Sequence, residues 1–86
     1  MKRTPMFFAR SDGFAITFAN GWTVSVRHGS FHYCDNKDRD QTKEWNCPNA
    51  EVAVLMPDGE FDGDVKGWQT PDQVAAIITK TAEREY

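Results

Sequence analysis

Four side chains of the kind that bind transition metals lie in one stretch: His28, His32, Cys34 and Cys47. Two imidazoles and two thiolates make a ligand set for structural zinc. The spacing His-x3-His-x-Cys-x12-Cys lacks the close cysteine pair of zinc fingers. The preferred reading is therefore plainer. Cys34 and Cys47 stand at the two roots of a 35–46 loop and face each other across neighbouring strands as reduced thiols, with a disulfide or a metal site as the alternatives. A nucleophile needs a positioned base and a group that orients the base. Cys34 and His32 are two residues apart on one side of an expected strand, and no third group stands out. Ser25 and Ser30 have no signature around them, and the chain has no glycine-rich phosphate loop and no His-Glu-x-x-His motif. No catalytic residue, metal ligand or cofactor site is assigned, and the chain is not expected to be an enzyme.

A second cluster imitates a calcium loop. Asp58-Gly-Glu60-Phe-Asp62-Gly63-Asp64-Val65 puts acidic residues at loop positions 1, 3 and 5, with glycine at 6 and an aliphatic residue at 8. Position 12 is Gln69 rather than the bidentate Glu, and a strand rather than a helix leads in. The segment reads instead as a Pro57-Asp58-Gly59 turn whose carboxylates keep a sheet edge soluble. Its candidate role is a negative interaction patch of Asp58, Glu60, Asp62 and Asp64. A third cluster interleaves Phe31, Tyr33 and Trp45 with Arg27, Lys37, Arg39 and Lys43, a pattern that can stack bases and grip phosphates. Asp35, Asp38, Asp40 and Glu44 cancel its charge, so Phe31 and Tyr33 are expected to pack on the sheet as strand residues. Trp45, in a polar loop, either closes the loop onto the core or anchors a partner. Lys37, Arg39 and Trp45 join the four acidic residues as candidate partner contacts.

The elements that position these groups are legible in the hydrophobic pattern. Met6–Ala9 reads as a short first strand. Phe14–Val26 alternates around Asn20-Gly21, a strong hairpin signal. A two-residue loop would put Phe14, Ile16 and Phe18 on one face and Trp22, Val24 and Val26 on the other. A three-residue loop, Ala19-Asn20-Gly21 with Gly21 left-handed, pairs Phe18 with Trp22, Ile16 with Val24 and Phe14 with Val26. All six then share the core face, which is the register that burial favours. The second strand of this pair is expected to continue past Gly29 toward Cys34. Ala50–Met56 suits a strand covered on both faces. Glu60–Asp62 begins a return strand, broken by Gly63 and Gly67 before Trp68. Thr70 is the N-cap of a last helix, with Pro71 at its first position and Gln73 completing a capping box. Val74, Ile77, Ile78 and Ala82, with Tyr86 a turn further, form its apolar stripe. The fold class is α+β: an antiparallel sheet of four to five strands with one C-terminal α-helix packed on one face.

With 86 residues, the chain is expected to be a single domain, 1–86, with little volume for an enclosed cavity. Charge is uneven. Residues 1–50 hold seven Lys and Arg against five Asp and Glu, a local charge of +2; residues 51–86 hold three against eight, a local charge of −5. Broad binding to nucleic acid or anionic membranes needs a basic face, which the acidic half lacks. No apolar run of signal-peptide length follows Met1-Lys2-Arg3, and no run approaches the ~18 residues of a membrane span, so a cytosolic protein with reduced thiols is expected.

Phe18-Ala-Asn-Gly-Trp-Thr-Val-Ser-Val26, Tyr33-Cys-Asp-Asn36, Asn49-Ala-Glu-Val-Ala-Val54 and Asp64-Val-Lys-Gly-Trp68, with Pro71 and Val74, together resemble small proteins encoded by bacteriophages and prophages, most of unassigned function. The resemblance implies a phage accessory product acting in the bacterial cytoplasm. Such proteins often bind a host protein; anti-CRISPR proteins, which block nucleic-acid or nuclease sites, are the analogue by size, charge and setting. The expectation is a non-enzymatic inhibitor of a host defence complex that binds a host protein or protein complex. A small nucleic-acid-binding or regulatory module, or a virion or assembly component, is the alternative.

Overall fold

Five strands follow one another in an antiparallel meander: β1 (Met6–Arg10), β2 (Gly13–Thr17), β3 (Thr23–Arg27), β4 (Ala50–Leu55) and β5 (Lys66–Gln69). One helix, α1 (Pro71–Ala82), packs on one face of the sheet. The fold is α+β. The structure, a computed structural model, describes residues 4–29, 32–35, 37–38 and 46–85.

The β2–β3 hairpin has the register that burial favours. Phe14 pairs with Val26 and Ile16 with Val24, and the Phe18 N–H donates to Trp22 O at 2.9 Å. Gly21 takes φ +91°, where a side chain would be strained. The strands are shorter than the alternation suggests, stopping at Thr17 and starting at Thr23.

The core lies between the sheet and α1. Val24, Val26, Ala50 and Val52 are buried there, and Phe18, Val54, Val74, Ile77 and Ile78 pack against them. Not all six hairpin side chains reach it. The helix touches β3, β4 and β5 only, so Phe14, out on β2, stays 37% exposed. The helix begins as its sequence requires: Thr70 Oγ1 accepts the Gln73 N–H, and Gln73 returns its side-chain oxygen to the Thr70 N–H. Its last buried residue is Thr81, not Ala82, which is exposed. The Thr81 hydroxyl is satisfied by donating to Ile77 O at 2.7 Å, so burial leaves no orphaned group. Tyr86 lies outside the described residues.

Two expected strands are corrected. The chain leaves the sheet after Arg27 instead of running on to Cys34. The His28 N–H turns to Asp12 O, and the turns that follow are closed by the His32 N–H on Gly29 O, the Cys34 N–H on His32 O and the Lys37 N–H on Cys34 O. Tyr33 therefore sits off the sheet, half exposed; Phe31 lies outside the described residues. The expected return strand at Glu60–Asp62 shrinks to one bridge, Phe61 to Leu55. The true return strand is β5, whose pairing with β4 shifts register between Ala50 and Val52.

Candidate binding face

Alternation that sends Val24, Val26 and Val52 toward α1 sends their neighbours to the opposite face. There Ala15 and Thr17 of β2 stand beside Thr23 and Ser25 of β3 and Ala53 of β4. All are small, so they leave a trough. Phe8 of β1 walls one side, opposite Ala15. Phe61 and Val65, from the β4–β5 connection, wall the other with Leu55. The trough holds about 440 Å³. Ala15 and Thr17 are buried at its floor, at 6% and 3% exposure, while Phe8, Phe61 and Val65 remain substantially exposed around it. The floor hydroxyls of Thr17 and Thr23 bond each other at 2.7 Å.

One end of the trough is ionic. His32 reaches it from the turn after β3. Its Nδ1 lies 3.0 Å from Glu51 Oε2, and its Nε2 contacts Asp12 Oδ2. Glu51 Oε2 also accepts the Tyr33 N–H at 3.1 Å, and Arg27 Nη1 is 3.8 Å from Asp12 Oδ2. With a carboxylate at each ring nitrogen, both contacts are hydrogen bonds only when the ring carries both N–H groups. Partial burial disfavours the charged form of Asp12, but the hydrogen bond from His32 and the charges of His32 and Arg27 outweigh it. The Asp12 carboxyl is held below the ordinary aspartate value.

Through these contacts His32 fastens the turn after β3 to β4 and to the β1–β2 connection. A general base presents a lone pair to its substrate, and both His32 nitrogens are turned to carboxylates. The Cys34 thiol is 1% exposed. It donates to Gly29 O at 3.4 Å and accepts the Gly29 N–H at 3.3 Å. The four metal-type residues are divided: His32 closes the trough, whereas His28 and Cys47 line a smaller cleft of about 310 Å³ beside the start of α1. Neither cysteine is on a strand, and no disulfide joins them. Among the described residues, no three His, Cys, Asp or Glu side chains are grouped to hold a metal ion.

The candidate acidic residues all lie on the 56–65 connection, beside the trough, but they are not equivalent. Asp58 Oδ1 accepts the Glu60 N–H at 2.9 Å and so builds the turn. Asp62 pairs with Arg84 Nη1 at 2.9 Å. Glu60 and Asp64 are exposed and make no ion pair among the described residues. Lys37 pairs with Asp38 at 3.5 Å and lies 5.8 Å from the Tyr33 ring centre. Arg39 and Trp45 lie outside the described residues.

Sequence reading missed the trough itself, because Ala15, Thr17, Thr23 and Ser25 look like an ordinary solvent face. Their uniformly small size was the available signal. It also missed an aromatic pair, Tyr33 and half-exposed Trp68, with ring centres 5.8 Å apart. No known protein family, curated protein or solved structure matches this chain. No helix among the described residues is long and apolar enough to cross a membrane.

Proposed function

We propose that this protein is a non-enzymatic binding module that inhibits a host defence complex in the bacterial cytoplasm. It engages a protein partner through the trough and the acidic connection beside it. One observation carries the reading: Phe8, Phe61 and Val65 stay exposed around a sheet face that no described segment covers, next to the carboxylates of Glu60 and Asp64, which make no ion pair among the described residues. Apolar surface rimmed by charge is the anatomy of a protein interface. The partner chemistry that fits is an apolar segment flanked by Lys or Arg, since opposite charge steers and orients docking. The phage accessory setting implied by the sequence resemblance supplies the host complex as the target.

The test is affinity capture from bacterial lysate with wild type, a Phe61→Asp/Val65→Asp double variant and Phe7→Asp. Phe7 is 78% exposed but lies on the other face of β1. The captured protein is then titrated against each purified form. Binding is expected to fall at least tenfold in the double variant and to persist in Phe7→Asp. A partner that binds all three equally, or no partner at all, would overturn the reading.

A further inference from the structure

The two edges of the sheet differ. At β5 the edge is closed: the Trp68 N–H donates to Tyr33 O at 2.8 Å, Trp68 takes φ +52°, and the β4–β5 register shifts beside it. Bulges and covering segments of this kind keep an edge from pairing. At β1 the edge is open. All five residues, Met-Phe-Phe-Ala-Arg, are exposed, the ladder to β2 is unbroken over five pairs, and no described segment pairs with the outer side. A regular, apolar, uncharged-centred edge is a template for another strand.

We infer that β1 is a homodimer site, pairing antiparallel with β1 of a second copy to make a continuous ten-stranded sheet. The occupant follows from the register. The Phe18–Trp22 hydrogen bond makes that pair a bonded one, and alternation across β2 then turns the backbone groups of Met6, Phe8 and Arg10 toward β2. Those of Phe7 and Ala9 point outward. A two-fold axis at Phe8 sets Phe7 against Ala9 of the second copy, and the reverse, satisfying all four outward groups on each strand. Phe8 meets its own copy at a close pair, an aromatic cross-strand contact. Arg10 faces Met6 rather than another arginine. Pro5, which has no N–H to give, ends the ladder. Phe8 also walls the trough, so the dimer joins two troughs side by side. The acidic 56–65 connection lies at the far end of the strand order and is not brought against its copy. Because the β5 edge is closed, assembly stops at two.

The contact is a single strand pair, so dissociation on the order of 10–100 µM is expected. Sedimentation equilibrium from about 1 µM to 1 mM should show the average mass rise from the 9.8 kDa chain mass toward twice that value. Phe7→Lys should be monomeric with an unchanged circular dichroism spectrum, and Trp68→Lys should still dimerise. Amide exchange of wild type supplies a readout that needs no variant: Phe7 and Ala9 should gain protection with concentration while Phe8 does not change. A wild-type monomer at millimolar concentration, growth beyond the dimer, a dimer that survives Phe7→Lys, or concentration-independent exchange at Phe7 and Ala9 would each overturn the inference. None of these outcomes bears on partner capture by the Phe61 face, so the two readings fail separately.

Discussion

Replacing His32 by alanine removes a side chain that ties the turn after β3 to both β4 and the β1–β2 connection. Two hydrogen bonds to carboxylates go at once. Bonds of this charged kind contribute roughly 1.5–3 kcal/mol each. The side chains of His32, Asp12 and Glu51 are only 15%, 18% and 19% exposed, so solvent screens them little. Asp12 keeps Arg27 at 3.8 Å, and Glu51 keeps the Tyr33 N–H, which softens the loss. The net cost should be about 2–4 kcal/mol. For 86 residues the whole stability is roughly 4–13 kcal/mol, so the variant should melt some 10–25 °C lower. Thermal and urea unfolding followed by circular dichroism measure it. His32→Gln should recover only part of the loss, since an amide offers a donor to one carboxylate and an oxygen to the other. The same cluster predicts an acid response. Asp12 titrates below its ordinary 3.8 when folded, so its contribution is complete only well above that value, where the unfolded chain is ionised too. It declines as pH falls, from about pH 5 as the unfolded chain takes up the proton, down through the lower folded value. The stability gap between wild type and Asp12→Asn should therefore close as pH falls below about 4. A His32→Ala protein that melts within 2 °C of wild type, or a gap that widens in acid, would refute this account of the cluster.

Two further changes probe the frame. Asn20 Nδ2 donates to Thr81 O and Arg84 O, both at 2.9 Å, and Asn20 Oδ1 accepts the Trp22 N–H, so the hairpin turn caps the C-terminus of α1. Asn20→Ala should cost roughly 1–2 kcal/mol and Asn20→Asp more in urea unfolding, because a carboxylate would face the negative end of the helix dipole. Gly13 takes φ +153°, and a Cβ there would lie 2.0 Å from Val26 O, so Gly13→Ala must break the β2–β3 ladder locally; loss of amide protection at Phe14 and His28, whose N–H groups face the partner strand on either side of Gly13, and a stability loss above about 3 kcal/mol are expected.

The legible parts of the fold are those whose determinants are close in sequence. Thr70, Pro71 and Gln73 specify the start of α1 within four residues. Gly21 and the alternation on either side specify the hairpin register. The overturned parts depend on distant partners. His32 and Tyr33 alternate as a strand would, but Asp12 and Glu51, twenty and nineteen residues away, hold His32 in a turn instead. Thr17 looks like a solvent residue until β1 folds back and sets Met6 opposite it. The helix stripe shows the same limit: Thr81 stands four residues after Ile77 and three after Ile78, on the face they share, and the hydroxyl that argues against its burial is answered by Ile77 O, a local bond that polarity alone does not display.

Asn20 is the clearest case of a residue with two roles, only one of them local. Its identity as a turn residue is evident from Gly21 beside it; its role as the helix cap depends on contacts 61 and 64 positions away. That contact has a consequence for the acidic connection. The end of α1, fixed by Asn20, places Arg84 over the Trp22 ring at 4.4 Å and against Asp62 at 2.9 Å. Arg84 and Asp62 are too exposed for the pair to add much stability; the 56–65 connection is held by its backbone, with the Met56 N–H donating to Glu60 O and the Asp62 N–H to Val54 O, both at 2.8 Å. Asp58 builds its turn and Asp62 ties it down. Under the proposed function, Glu60 and Asp64 are the carboxylates that meet a partner, carried on a connection already held in position, which lowers the ordering cost of binding. Charge reversal at Glu60 and Asp64 accordingly reads the electrostatics of the binding face, whereas reversal at Asp62 would also release the connection from the helix and confound the two.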